Sequence, residues 1–181
     1  SPVADPTQRI PPLSGMAIRY RKLLARYFSL MIPTDSSVLE VGCGSGELLR
    51  HISSNQKCGI DTSEELIHLA RGSDSQTEFF VADGNTFASS ETYDYIIISD
   101  TLNIVSDVQS LLAGIRRCSH PGTKLLINIP NNLWQPIFGT ASALGLRAKQ
   151  SPSSWLSGQD VRNLLQLAEW DVVKTQARVI F

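Results

Sequence analysis

The run Val38-Leu39-Glu40-Val41-Gly42-Cys43-Gly44-Ser45-Gly46 constrains the fold more than any other part of this chain. Aliphatic and β-branched residues lead straight into glycines at every second position. That is the pattern of a buried strand entering a tight turn that opens a helix. Glycine lets the backbone approach a ligand closely, and Glu40 stands at the end of the strand. The arrangement suits a nucleoside-type cofactor whose amino-acid or phosphate part lies over the turn.

The remaining chain repeats the strand-then-helix order. Apolar spacing predicts a helix over residues 13–31, stopped by Pro33. Strands are expected at Ser37 to Val41, Lys57 to Asp61, Glu78 to Ala82, Tyr93 to Ser99 and Lys124 to Ile129. The Ile96-Ile97-Ile98 run lacks polar alternation, as a strand buried on both faces of a parallel sheet requires. Helices are expected from Ser45 to Ser53, from a Thr62 cap with Glu65 to about Ala70, and from Asp107 to Cys118, closed by Pro121-Gly122. Ser157 with Asp160 caps a further helix over Gly158 to Ala168, and a last strand is expected from Trp170 to about Thr175. Strands alternating with crossover helices give an α/β fold with a doubly wound, mostly parallel sheet.

Length allows one domain with a full core, residues 13–181, preceded by a polar, proline-rich arm over 1–12. A net charge of −1 argues against a general grip on nucleic acid or an anionic membrane. Arg19, Arg21, Lys22 and Arg26 read as a solvated helix face. No apolar run approaches the roughly 18–20 residues a spanning helix needs, so membrane insertion is not expected. Cys43, Cys58 and Cys118 show no CxxC spacing, which points away from a metal or a disulfide framework and toward a reducing, cytoplasmic compartment.

In open parallel sheets, ligands sit outside the carboxyl ends of the strands, where strand order reverses. Four successive strand ends here carry polar groups: Glu40 with its glycine turn, Asp61, Asp83-Gly84-Asn85, and Ser99-Asp100-Thr101. Val38 to Gly46, Gly59-Ile60-Asp61, Val81-Ala82-Asp83-Gly84 and Tyr93 to Ser99 resemble the successive motifs of class I methyltransferases that use S-adenosylmethionine. Pro121 to Ile127 is similar to that family's fifth-strand segment, and the resemblance covers roughly residues 35–175.

The resemblance implies a Rossmann-like methyltransferase fold and roles for particular residues. Gly42, Cys43, Gly44 and Gly46 would pack against the methionine portion, and Glu40 would steer the turn or reach the amino group through a water. Asp61 would accept from both ribose hydroxyls, with Thr62 on the adenine's side. Asp83 would take the adenine amino group beside Gly84 and Asn85. Ser99 would lie where cofactor meets acceptor, and the product would be S-adenosylhomocysteine. A nicotinamide-dependent oxidoreductase fits less well, because the GxGxxG fingerprint needs a glycine where Glu47 stands.

Methyl transfer is an in-line displacement that needs a general base only when the acceptor must lose a proton. Asp100, just past the fourth strand, is the best-placed carboxylate: as a base it could serve a hydroxyl or amine acceptor, and as structure it could cap the following turn. No Asn-Pro-Pro-Tyr-type motif of DNA base methylation follows that strand, so a small-molecule acceptor is expected. His51, His68 and His120 form no cluster and read as surface or packing residues. Residues 131–157, with Trp134, Ile137, Phe138, Leu144 and Leu146, are expected to cover the acceptor side. Tyr20 with Arg19 or Arg21 is expected to close the other side. Too little chain follows the last helix for the family's antiparallel seventh strand, so that strand is expected to be missing. A fragment of a longer protein, with fusion to a further C-terminal domain, would explain this. The alternative to an enzyme is a non-catalytic relative that binds the cofactor or serves as a partner module.

Overall fold

The Ile96-Ile97-Ile98 run lies on an interior strand of a parallel sheet, fully buried at all three positions. Burying each isoleucine contributes roughly 1.5–3 kcal/mol, which fixes this strand as the middle of the core. The computed structural model describes residues 15–102, 104–129 and 156–176. Its strands are β1 (Ser37–Val41), β2 (Gln56–Asp61), β3 (Glu78–Val81), β4 (Tyr93–Ser99) and β5 (Ser119–Asn128). They pair in the order β3-β2-β1-β4-β5, and every pairing is parallel. The chain builds outward from β1 to β3, then returns to lay β4 on the other side of β1. Strand order therefore reverses between β1 and β4, which opens a crevice at their carboxyl ends.

Alternation along the strands sorts the core into two layers. Leu39, Val41, Ile96 and Ile98 face α3 (Val108–Ile115) and α4 (Gly158–Leu167). Val38, Tyr95 and Ile97 face α1 (Gly15–Ser29) and α2 (Glu64–Ser73). Glu40, two residues beyond Val38 and opposite Ile97 and Gly59, falls on the α1 side. No helix among the described residues is long and apolar enough to cross a membrane.

Four local expectations are corrected. The helix expected from Ser45 to Ser53 shrinks to turns and one 3-10 turn at Leu49–His51, because positive φ persists through Gly46 and delays helical geometry. The cap of α2 is Ser63, whose Oγ accepts from the Leu66 amide, while Thr62 stays exposed. Pro121-Gly122 lies inside β5, at a register irregularity between Tyr93 and Tyr95, where the Thr123 hydroxyl donates to the Tyr93 carbonyl. The strand expected from Trp170 to Thr175 does not form. Glu169 adopts φ 58° and turns Trp170 back onto α3, where its Nε1 donates to the Leu112 carbonyl at 3.1 Å.

The α4 cap forms as expected, with Ser157 and Asp160 exchanging side-chain and backbone bonds. The arm over 1–12 lies outside the described residues, and so does the 131–157 cover except for Leu156 and Ser157.

Candidate active site

The glycine turn is held from within. The amides of Gly42 and Cys43 both donate to the Ile60 carbonyl, at 2.8 and 3.0 Å, and the Gly46 amide donates to the Cys43 carbonyl at 3.0 Å. The Gly44 amide donates to Asp61 Oδ2 at 2.8 Å. A turn that cradles a pyrophosphate keeps such donors free for the ligand. Here they are spent on the protein, so the turn fits a ligand that presents no phosphate.

Each glycine has its own reason. Gly42, at φ 75°, has no room for a side chain, since a Cβ would lie 2.3 Å from Thr101 Oγ1. Gly46, at φ 74°, packs on Phe79 and Ala70, giving the close strand–helix contact. Gly44 alone faces open space. Glu47 is buried behind the turn and pairs with Arg50 and His51. Cys43 points its sulfur toward β2, and burial pushes its thiol far up, with Glu40 and Asp61 adding to the shift.

A cavity of about 270 Å³ opens beside the turn. Gly42, Asp61, Thr62, Asp83, Gly84 and Asn85 line it, so six of the expected cofactor residues share one wall. Asp61 uses one lone pair of each oxygen on protein amides, Gly44 through Oδ2 and Ser63 through Oδ1. An ionised carboxylate has about four acceptor sites, which leaves two for a vicinal diol. Thr101, from the expected strand-end group, also lines it, together with Ile104 and Leu111, which were not anticipated. The signal of those two in the sequence is weak, since isolated apolar residues in a loop or helix are ordinary.

The β4–β5 side is assembled differently. The α1 helix delivers Tyr20 and Arg21 onto the strand ends, while Arg19, Lys22 and Arg26 remain exposed. Tyr20 donates to Asp100 Oδ1 at 3.1 Å, and Asn128 Nδ2 donates to both Tyr20 Oη and Asp100 Oδ1 at 2.7 Å. Arg21 donates to Ser99 Oγ at 3.1 Å and stands 3.6 Å from Asp100 Oδ2. Asp100 itself adopts φ 55°, a left-handed conformation that aspartate tolerates better than most residues. Burial raises the Asp100 pKa, against the opposing pull of Arg21, Tyr20 and Asn128. Burial also raises the Tyr20 pKa, reinforced by Asp100.

Glu40 lies beneath this network, fully buried, and among the described residues neither carboxylate oxygen has a well-formed hydrogen bond, the Leu49 backbone interacting with it only weakly. Burial pushes its pKa up to about 8, with Arg21 opposing and Asp100 and Asp61 adding to the rise. A buried acceptor without partners fits a cationic amino group supplied by a ligand.

His51 pairs with Glu47, His68 is exposed on α2, and His120 pairs with Asp94 at the opposite end of the sheet. None of the three faces the crevice residues. Asn128 is the functional candidate that sequence reasoning missed. Its only signal is position, as the polar last residue of β5.

The strand ends thus carry a glycine turn whose own amides are bonded within the protein, a carboxylate with spare acceptor sites and a buried acid with no hydrogen-bond partner among the described residues. A family model described as a methyltransferase domain matches residues 14–175, and the chain belongs to that family, the class I S-adenosylmethionine-dependent methyltransferases. Trans-aconitate 2-methyltransferase of an Acidovorax species is 31% identical over 138 residues, covering 74% of this chain and 50% of that protein. The chain spans about half the length of the curated relatives it first matches. Among solved structures, the complex of the Haloferax volcanii Trm112 activator with its methyltransferase matches at a TM-score of 0.68 and 19% identity, over 85% of this chain and 70% of that one. The plantazolicin methyltransferase bound to S-adenosylhomocysteine matches at 0.56 and 22% identity, over 83% and 55%. Those two likenesses show the fold.

Proposed function

We propose that this chain binds S-adenosylmethionine and transfers its methyl group to a small-molecule acceptor. The observation that carries the reading is the buried, unpartnered Glu40 under a glycine turn whose amides are spent internally. Asp61 would hold the ribose, and Asp83, Gly84 and Asn85 would face the adenine with Thr62 at the rim. Gly42, Cys43, Gly44 and Gly46 would offer a flat backbone to the methionine portion, and Glu40 would receive its amino group. The cofactor supplies a methyl group on a sulfonium, which is already a good leaving group.

The protein's part is then to hold the acceptor in line and exclude water. Ser99, Asp100 and Asn128, steadied by Tyr20 and Arg21, would form the acceptor wall. Asp100 would take the proton of a hydroxyl or amine acceptor, its raised pKa suiting that task. The name of the trans-aconitate relatives supports a small, anionic acceptor, and a carboxylate acceptor needs no base. In that case Asp100 serves only to anchor α1 and Arg21. Three free, buried cysteines support a reducing, cytoplasmic setting.

Calorimetry with S-adenosylmethionine tests the core of the reading. Saturable binding is expected, and no heat together with an unchanged melting temperature would overturn it. A product-release assay over trans-aconitate, simple alcohols and amines then identifies the acceptor. Asp100→Asn distinguishes the two roles: a base loses most of its rate with alcohols, an anchor little with carboxylates.

A further inference from the structure

We propose that Gly114 in α3 and Arg117 just beyond it are positioning residues that hold the Asp83–Asn85 rim and so set the site's selectivity for a 6-aminopurine. This rests on the reading of the cavity as the adenosyl side of the cofactor site. Helix and rim meet backbone to backbone. A Cβ on Gly114 would lie 2.8 Å from the carbonyl oxygens of both Gly84 and Asn85, and 3.0 Å from Asn85 Cα. None of those atoms is the yielding end of a side chain. Gly84 answers from the other side, where a Cβ would meet Leu111 Cδ1 at 2.4 Å and Val41 Cγ1 at 2.9 Å. Two facing glycines therefore fix how close the rim lies to α3.

Arg117 secures the same rim from outside, its Nη2 donating to the Asn85 carbonyl at 2.6 Å. Within the rim, Asp83 Oδ1 accepts from the Asn85 amide at 2.9 Å, and the Asp83 carbonyl accepts from the amides of Thr86 and Phe87. One buried group of the rim is left over. Asn85 lines the cavity, and its Oδ1 is buried with no partner among the described residues. An unpaired acceptor there calls for a donor. The 6-amino group of adenine is one, whereas the 6-oxo group of hypoxanthine is an acceptor. Sites that hydrogen-bond a ligand group reject analogues lacking it, and they do so only while the partner is correctly placed. Glycine is also a poor helix former, so its place inside α3 is explained by this contact.

The test is titration calorimetry of the whole chain with S-adenosylhomocysteine and S-inosylhomocysteine. The wild type should prefer the adenosyl form by about tenfold or more, the discrimination expected of a hydrogen-bonding site. Gly114→Ala should cut that ratio by about fivefold, because the rim backbone must shift to admit the methyl group. Arg117→Met, an exposed change the fold tolerates, should cut it by about twofold, with Arg117→Lys recovering part. Alanine is the better helix former, so thermal unfolding of Gly114→Ala should not fall in step with its selectivity.

A ratio unchanged in both variants, or equal weakening of both probes, overturns the positioning role. If the wild type binds neither probe, the cofactor reading itself falls. If Gly114→Ala does not fold, Arg117→Met decides alone.

Discussion

Toward β2 and β3 the site is made of residues lying within a few positions of a strand end, while toward β4 and β5 it is made by side chains far apart in sequence. Asp61, Thr62, Asp83, Gly84 and Asn85 reach their cavity by local turns, the last two backed by α3. Tyr20 and Asp100 meet across 80 positions, and Tyr20 and Asn128 across 108. The difference sets how each half responds to change. Local turns position backbone and carboxylates whatever α1 does, whereas the β4–β5 wall exists only while α1 is docked. In the proposed division of labour, the first half holds the cofactor and the second meets the acceptor.

That contrast can be broken at four places. Gly42→Ala should do most harm, about 2–5 kcal/mol from the left-handed conformation plus the clash with Thr101. Urea unfolding should record it, and cofactor binding should vanish. Glu40 comes next, through pH. Its pKa rises from 4.5 to about 8 on burial, so the unfolded chain releases this proton first. Stability is therefore fully present below the unfolded value and is lost as pH climbs toward 8, by on the order of a few kcal/mol. Unfolding curves for Glu40→Gln should be nearly flat over that window; a parallel decline in both proteins would show that Glu40 is not responsible.

Asp61→Ala should weaken S-adenosylmethionine binding by about 1–3 kcal/mol while leaving the Tyr20–Asp100 network in place. A wild-type affinity in calorimetry would remove Asp61 from the ribose role. The smallest effect belongs to Tyr20→Phe, about 0.5–1.5 kcal/mol in stability. Here kcat/KM should fall while cofactor Kd stays constant. If Kd moves as well, the two halves are not separable.

The strands of the sheet and most of the helices were legible along the chain because they follow from short-range patterns. Ile96 to Ile98 signal a doubly buried strand, and Ser157 with Asp160 a capped helix. Legibility failed where neighbours decide. Ser45 to Ser53 looks helical, yet positive φ through Gly46 spends that segment on the turn. Trp170 to Thr175 has strand-like residues, yet Trp170 finds its partner on α3 rather than a sheet edge. The basic stripe of α1 reads as a solvated face from which Arg19 or Arg21 could turn to the site, and docking selects Arg21, leaving Arg19, Lys22 and Arg26 outside.

The sequence by itself determined that this chain forms a parallel α/β sheet with polar groups at successive strand ends, because alternation, glycine spacing and caps act within a few residues. Tertiary structure decided that the Gly42 and Gly44 amides are spent on Ile60 and Asp61, and that Glu40 is buried with no well-formed hydrogen bond among the described residues. It also decided that Asn128, Tyr20 and Arg21 converge on Asp100. Those outcomes depend on which elements pack against which, and no local pattern encodes a hydrogen bond between residues 80 or 108 positions apart.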